Sequence, residues 1–369
     1  MRREIHPRVP VPALVAVLVC LFLSPMNESN AAAAPVKTVK DRNGRTVQVP
    51  VDPKRIACFF GPSYEKVFLL GSADRVAAMS LKQSPWAHKL NPNLKKVVVM
   101  PSYTDPDVER LLHLGIDLVF YWQWPQQTRR MATAGIPVVC PYDGVTIPRN
   151  SEEFMRAYQE EIRFYGLVLG KKAQKVAESY CSYYDEKMRS IVSITLKIPE
   201  NRKPTVYYIT GRNVFATQGG AGTSRWLLEM AGARMVSRDL NRNFLDVTME
   251  QVIAWDPEVI LVGGLTTPDA IRNDPRWKGI RAVRENRVYT CPEGVFIWGH
   301  GSSEGHLFVL WLAKILHPDK FRSFDLIRET RAYFSRFYQY PLTEEEARRI
   351  LKRLPPENYP ARETRPARF

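Results

Sequence analysis

The sequence predicts an α/β protein of two lobes, each built on a parallel sheet, bridged by one long α-helix. Short apolar runs alternate with helical patterns from Arg55 onward, which is typical of parallel strands with crossover helices. The segment 108–119 resembles the segment 249–260, since each joins a short helix to an apolar strand at the same offset. Between the two series, an amphipathic stripe fills the stretch 171–197. Together these features predict two similar halves with a helical connection.

The pattern also predicts the domain boundaries. A chain of 369 residues with 45% hydrophobic residues is large enough for two domains, each with a core of its own. We expect a signal peptide at 1–34, an N-terminal α/β lobe at 35–150, a helical bridge at 151–200, a C-terminal α/β lobe at 201–342 and a tail at 343–369. The tail is rich in Arg, Glu and Pro and predicts one short helix followed by a loose end.

The N-terminal lobe is predicted from five apolar runs. Gly71, Gly115 and Gly135 stand where helices should end before the next strand, because glycine adopts a left-handed backbone without a Cβ clash. The predicted strands are 56–60, 75–79, 96–99, 117–121 and 136–140.

The bridge and the C-terminal lobe follow the same logic. Asn150 and Glu153 can cap one helix, and the stripe at 171–197 predicts a second that would reach about 40 Å, enough to run between lobes. A surface helix within one domain is the alternative. The predicted strands of this half are 205–210, 234–236, 258–262 and 287–290.

The first residues predict export. An apolar run at 13–23 follows three arginines, and small residues at 31–34 offer cleavage sites, which together indicate a secretory signal. The run is too short to span a bilayer, which takes about 20 apolar residues. Lipid anchoring at Cys20 is the weaker alternative, because the bulky Val19 precedes it. We therefore expect the mature protein in the periplasm.

Charge and cysteine content narrow the functional classes. The net charge of +15 would suit nucleic acid or any anionic partner, yet the chain shows no zinc-finger spacing and no RNA-binding motif. We expect no nucleic-acid partner and a monomeric protein. Four cysteines remain after cleavage, and their wide spacing favours buried thiols over disulfides, although one disulfide is possible. They are Cys58, Cys140, Cys181 and Cys291.

Several segments resemble one known family, in the same order and at similar spacing. The segment 39–55 is similar to its N-terminal hairpin and first strand, and 61–71 to its first helix. The segment 223–232, TSRWLLEMAG, is similar to the first helix of its second lobe, and 311–321 to its terminal helix. The chain thus resembles the periplasmic substrate-binding proteins that serve ABC importers of iron-siderophores, haem and vitamin B12.

The resemblance implies a helical-backbone periplasmic binding protein with two Rossmann-like lobes. It implies capture of an iron chelate, either a siderophore or haem, or of a corrinoid, and delivery to an ABC transporter permease dimer. It implies no catalysis and no cofactor beyond the bound cargo. In that family one glutamate on each lobe docks on the permease, and by position these are Glu109 and Glu229, with Glu65 and Glu250 as competitors.

The cargo is expected in the cleft where strand ends of both lobes face each other. Aromatic side chains near these ends suit a flat or apolar chelate, and arginine suits its anionic groups. The predicted ligand-binding residues are Phe60, Tyr64, Tyr103, Trp122, Trp124, Tyr142, Arg212, Phe215, Trp298 and His300.

Two alternatives remain open from the sequence. The segment 301–305 fits G-x-S-x-G, so Ser303 could be the nucleophile of an α/β hydrolase, although no acid and histidine follow in the required order. Capture of a bare metal ion is the other. The histidines do not cluster, and His300 is the one that could reach a metal in bound cargo.

Overall fold

The computed structural model describes residues 35–80, 82–143, 146–264 and 266–360. The predicted signal peptide, with Cys20, lies outside these ranges, as does the end of the tail. None of the helices in these ranges combines the length and the hydropathy that a bilayer crossing requires. The described residues from Pro35 onward form one compact unit.

The described chain begins with an antiparallel hairpin of β1 (Val36–Lys40) and β2 (Thr46–Pro50). The carboxylate of Asp41 holds the turn, because it accepts hydrogen bonds from the backbone N–H groups of Asn43 and Arg45. It also accepts one from the N–H of Cys140, at 3.1 Å. One buried acid therefore fixes both the turn and its attachment to the first sheet.

The first sheet has five parallel strands in the order β5-β4-β3-β6-β7. All five predicted strands are present in shorter form, and Gly71, Gly115 and Gly135 have the positive φ angles that their predicted positions require. The strands are β3 (Ile56–Cys58), β4 (Val76–Met79), β5 (Val98–Val99), β6 (Leu118–Phe120) and β7 (Val138–Val139). The helices of this half are α1 (Ser63–Leu69), α2 (Pro85–Leu90), α3 (Val108–His113) and α4 (Pro125–Thr133).

Two long helices, α5 (Ser151–Leu169) and α6 (Lys171–Thr195), connect the halves. Asn150 caps α5, as predicted, by accepting from the N–H of Glu153 at 2.9 Å. The turn between the helices lies against the first half, where Arg75 donates to the carbonyl of Leu169. The far end of α6 lies against the second half, where Thr195 donates to the carbonyl of Met230. The long helix α6 therefore runs from one half to the other.

The two helices pack closely because Gly166 faces α6. A Cβ atom at this position would lie 2.9 Å from the Cβ of Ala177 and 3.1 Å from the Cα of Gln174. We expect Gly166→Ala to lower the free energy of unfolding by about 1 to 3 kcal/mol, since the helices must move apart, and overpacking costs about this much.

Chemical denaturation of the purified protein measures this effect. Gly279→Ala is the matched control, because a Cβ there meets nothing within 4 Å. A Gly166→Ala protein that is as stable as the control would contradict the close packing. Alanine favours the helical conformation more than glycine does, so only a steric clash can make this substitution destabilising.

The second sheet has a parallel centre and an antiparallel edge. Strands β8, β12, β13 and β10 run parallel, whereas β9 turns back against β8 and β11 pairs with β9. The antiparallel pair was not predicted, because each strand is only three residues long. The strands are β8 (Thr205–Ile209), β9 (Ala216–Gln218), β10 (Arg234–Met235), β11 (Phe244–Asp246), β12 (Val259–Val262) and β13 (Val288–Thr290). The helices are α7 (Thr223–Met230), α8 (Met249–Trp255), α9 (Asp269–Arg272), α10 (Arg281–Arg284) and α11 (Gly305–Leu316).

Residues 326–360, named the C-terminal strap, return from the second half to the first. The strap contains α12 (Leu326–Phe337) and α13 (Glu344–Leu351), and a capping box between Thr343 and Glu346 begins α13. Trp86 of α2 donates to the carbonyl of Leu354, and Lys89 pairs with Glu346. On the other side, Arg353 pairs with Glu293 of the second half. The predicted tail thus contains its one short helix but is packed against both halves over the described residues.

Candidate functional site

A cavity of about 200 Å³ lies between the two halves, and a neighbouring one of about 150 Å³ shares part of its wall. We call these two cavities together the cleft. The first half contributes residues that follow its strands, the second half contributes loops beside β8, β9 and α11, and one face of α5 closes the side. This is where open α/β sheets bind ligands, at the carboxyl ends of their strands. The shared wall consists of Tyr142, Phe154, Tyr158, Glu161, Thr223 and Asn243.

Five aromatic rings of the first half form a continuous series, named the aromatic ladder. Phe60 lies 4.6 Å from Trp122 and 5.7 Å from Tyr142, measured between ring centroids. Trp122 stacks on Trp124 at 6.1 Å, and Trp124 stacks on Tyr103 at 5.8 Å. Phe60 is 6% exposed and Tyr103 is 37% exposed. The ladder therefore runs from the cavity wall to the protein surface.

A buried ion pair stands in the same wall. Lys66 of α1 is 1% exposed, and its Nζ lies 2.9 Å from Oε1 of Glu161 on α5. The same ammonium donates to the carbonyl oxygen of Gly301 at 2.8 Å, and it lies 5.5 Å from the centre of the Tyr158 ring. Lys66 therefore connects both halves and the bridge at the inner end of the cleft.

His300 is a neutral histidine of the cavity wall. Burial lowers its pKa to about 4, and the positive charge of Arg353 acts in the same direction. Within the described residues, its Nε2 is shielded from solvent and has no hydrogen-bond partner. At neutral pH the imidazole can thus accept a hydrogen bond from cargo or ligate a metal that the cargo carries.

Four of the ten predicted ligand-binding residues, namely Phe60, Trp122, Tyr142 and His300, line the cleft, and Trp124 and Tyr103 continue the aromatic ladder beyond its walls. The other four lie elsewhere. Tyr64 is buried inside α1 and accepts a hydrogen bond from Asn91, and Trp298 is fully buried. Phe215 stacks on Trp277, and Arg212 is exposed in the turn between β8 and β9. These four are not in the described cavity walls, and the binding role of all ten stays a prediction.

Several wall residues were not predicted from the sequence. Phe154, Tyr158 and Glu161 lie on one face of α5 because their spacing of four and three residues follows the helical repeat. That spacing is visible in the sequence and could have identified this face. Lys66 could not have been found in this way, because its charge on a short helix is typical of a solvated residue.

The hydrolase alternative requires a reactive serine, and Ser303 has a structural role instead. Its side chain is fully buried and contacts a carboxylate oxygen of Glu65 and the hydroxyl of Tyr333, the latter at 2.6 Å. Ser303 is also not among the residues of the cavity wall. The predicted G-x-S-x-G segment therefore forms a hydrogen-bonded contact between α1 and the start of α11 and is not a nucleophile elbow.

Two buried acids, Glu65 and Glu304, lie at this contact. Together with the hydroxyl groups around them they form what we call the buried acid cluster: Glu65, Ser303, Glu304, Tyr333 and Tyr338. Burial raises the pKa of Glu65, and Lys66 and the hydroxyl donors oppose the rise. Burial raises the pKa of Glu304 well above its usual range, and the nearby carboxyl of Glu65 adds to the rise. The cluster thus favours protonated carboxyl groups.

The described residues contain neither a cluster of metal-binding side chains nor a disulfide. Among the described residues, no three His, Cys, Asp or Glu side chains stand close enough together to hold a metal ion. The four described cysteines are buried and free.

The four glutamates considered for docking differ in accessibility. Glu109 is exposed in the first turn of α3, and Glu250 is exposed in the first turn of α8. Glu229 is half-buried on α7 and pairs with Arg225 at 3.0 Å. Glu65 is fully buried, so it cannot reach a partner protein.

Residues 56–295 match the family model described as periplasmic binding protein. The chain belongs to this family. Its members are solute-binding proteins of ABC transporters that act outside the cytoplasm, and they are not enzymes. The two mainly parallel sheets and the long helix are the architecture of the family.

Relatives with named cargo differ in what they bind. The molybdate-binding protein MolA of Haemophilus influenzae is 26% identical over 278 residues, which cover 71% of this chain and 78% of MolA. A probable siderophore-binding lipoprotein of Bacillus subtilis is 30% identical over 109 residues, 29% of this chain and 34% of that protein. The vitamin B12-binding protein of Salmonella typhi is 24% identical over 178 residues, 47% of this chain and 61% of that protein. The match thus spans about a third of the length of the Bacillus subtilis lipoprotein and about three fifths of the length of the vitamin B12-binding protein.

Solved structures share the fold over nearly their whole length. A periplasmic solute-binding protein from Veillonella parvula aligns with a TM-score of 0.70 and 25% identity, covering 86% of this chain and 97% of that one. MolA bound to molybdate aligns with a TM-score of 0.75 and 21% identity, covering 83% of this chain and 99% of MolA.

Proposed function

We propose that the protein captures a metal chelate in the cleft, in the periplasm, and delivers it to an ABC transporter permease. The cargo classes are an iron chelate, either a siderophore or haem, or a corrinoid. The aromatic ladder is the observation that carries this proposal. Offset ring stacking binds flat conjugated groups such as catecholates or a macrocycle, and five connected rings give a larger surface than a small ion needs.

The size of the cavity supports a division of the cargo into two parts. A volume of about 200 Å³ holds a small group, not a complete ferric siderophore or a corrinoid. We expect the inner part of the cargo to enter the cavity near Lys66 and His300. The outer part would lie on Trp122, Trp124 and Tyr103, where the ladder reaches the surface.

Titration of tryptophan fluorescence tests the proposal. We expect ferric catecholate or hydroxamate chelates, haem or cobalamin to quench the ladder tryptophans with a dissociation constant in the micromolar range or tighter. Trp122→Leu should weaken binding of the chelate about tenfold, since stacking and buried aromatic area contribute about 1.5 kcal/mol. Trp255→Leu is the matched control, because this half-buried tryptophan lies on α8, outside the cleft walls. Equal losses in the two variants would contradict a binding role of the ladder.

Molybdate is the second candidate cargo, and a specific observation favours it. The cavity is small and has a buried ammonium in its wall, which suits a compact oxyanion, and the relative MolA is a molybdate-binding protein. Isothermal titration with molybdate and tungstate separates the candidates. Tight oxyanion binding that Trp122→Leu leaves unchanged would favour molybdate over a chelate.

A further inference from the structure

The ion pair between Lys66 and Glu161 is an unusual feature of a binding cavity. The Lys66 side chain is 1% exposed and the Glu161 side chain 11% exposed, and both residues belong to the wall of the cavity. Removal of two charges from water costs free energy that their attraction often fails to recover. A pair of apolar side chains would fill this wall with less cost, so the charges call for a reason beyond packing.

The ammonium retains capacity for another partner. An ammonium group has three N–H donors, and among the described residues Lys66 donates to the carbonyl oxygen of Gly301 at 2.8 Å. Oε1 of Glu161 forms an ion pair with Nζ at 2.9 Å but has no hydrogen-bond partner within the described part of the chain. An anionic oxygen of the cargo in the cavity can therefore bind Lys66 without breaking either contact, or can replace Glu161.

The surroundings favour an anion over a cation. Gly222 and Thr223 at the start of α7 line the cleft, so the positive end of that helix dipole lies at the ligand space, although the N–H of Ser224 is already bonded to the side-chain oxygen of Gln218. The net charge of +15 also attracts anions to the protein as a whole. The described residues hold no metal-ligand cluster, so a metal must arrive with its own ligands, and these are commonly anionic oxygens.

We propose that Lys66 is the specificity-determining residue for the charge of the cargo and that Glu161 is the counter-ion with which the cargo competes. The cleft then selects cargo that carries an anionic oxygen at its inner end, whether a carboxylate, a catecholate or a metal oxyanion. This inference rests on the proposed function, because it takes the cleft as the cargo site.

Two substitutions of similar shape test the inference because they act in opposite directions. Lys66→Met should weaken the binding of anionic probes at least thirtyfold, since it removes the charge and keeps the length. Glu161→Gln should strengthen the same binding three- to tenfold, since it removes the competitor. The probes are molybdate, an anionic ferric tris-catecholate and an uncharged ferric tris-hydroxamate. Lys89→Met is the matched control, because Lys89 pairs with Glu346 outside the cleft.

Each single variant leaves one buried charge without its partner and can therefore misfold, which thermal unfolding would reveal. The double variant Lys66→Met/Glu161→Gln removes both charges and avoids this problem. It should bind the uncharged hydroxamate as the wild type does and lose the preference for anions. Weaker anion binding by Glu161→Gln would overturn the inference, because a carboxylate that competes with the cargo for Lys66 cannot assist the binding of an anion. An equal loss for all probes in Lys66→Met would also overturn it. If the wild-type protein binds none of the probes, the proposed function itself fails.

Discussion

Replacement of both Glu109 and Glu229 by alanine should abolish uptake of the cargo by cells and leave the affinity of the isolated protein for cargo unchanged. We propose these two residues as the contacts to the permease, one on each half of the molecule. Each stands on the outside of a helix away from the described cleft walls. Loss of a carboxylate from a desolvated pair with arginine costs about 2 kcal/mol or more, so two losses should weaken docking roughly a thousandfold.

The two glutamates are not equally ready for docking. Glu109 is exposed, whereas Glu229 is held by Arg225 of its own helix and must exchange this partner for one on the permease. We therefore expect Glu109→Ala alone to reduce uptake more than Glu229→Ala alone.

Glu250→Ala provides the control, since Glu250 is exposed and stands at the position of the second half that corresponds to Glu109. Uptake is measured with radiolabelled cargo in cells that express each variant from the chromosome. If Glu250→Ala reduces uptake and Glu229→Ala does not, the docking residue of the second half lies on α8 and not on α7.

Glu304→Gln should stabilise the protein at pH 8, because glutamine has no carboxyl group that the folded state must keep protonated. Burial and the neighbouring Glu65 raise the pKa of the Glu304 carboxyl in the folded state well above the ordinary value of 4.5. Above pH 4.5 the unfolded chain releases this proton, while the folded chain retains it until the pH passes the raised pKa. The stability contribution is therefore complete below pH 4.5 and is lost as the pH rises through that window.

The stability gained by Glu304→Gln over the wild type should accordingly grow between pH 5 and pH 8. The test is this difference, because His300, whose pKa burial lowers to about 4, makes the wild-type stability rise with pH up to about 6.5 and so opposes the acids. Glu304→Gln removes only part of the acid contribution, because the pKa of Glu65 is raised in the same direction. Urea denaturation at a series of pH values measures the stability difference. Glu345→Gln on the exposed face of α13 is the control and should leave the slope unchanged. A difference between Glu304→Gln and the wild type that stays constant over this range would contradict the raised pKa of Glu304.

The sequence predicted the parts of the fold that depend on local patterns. The stripe of α6 repeats over seven turns, and the cap at Asn150 uses one residue and its neighbour three positions on, so both are visible in a short window. The strands β9 and β11 are too short to show a repeat, and they exist because they pair with each other and with β8. Helix α12 was not predicted either; it lies at the end of the segment that was assigned to the C-terminal α/β lobe.

The sequence identified those residues of the candidate site that directly follow a strand, because the end of a strand determines where they lie in the fold. Phe60, Trp122 and Tyr142 follow strands β3, β6 and β7, and the carboxyl ends of parallel strands meet at one edge. Tyr64 has the same residue type but lies within α1, where it points into the core. Lys66 belongs to the site because Glu161 and Gly301 approach it from distant parts of the chain. Contacts of this kind leave no periodic signal.

The C-terminal strap determines when the protein can complete its fold. Trp86 and Leu354, which share a hydrogen bond, are separated by 268 positions in the chain. Contacts of such high contact order form late, because a long loop must close before they contribute. The N-terminal half therefore lacks its last packing partner until nearly all of the polypeptide has left the ribosome. We therefore expect this half to complete its packing only after synthesis.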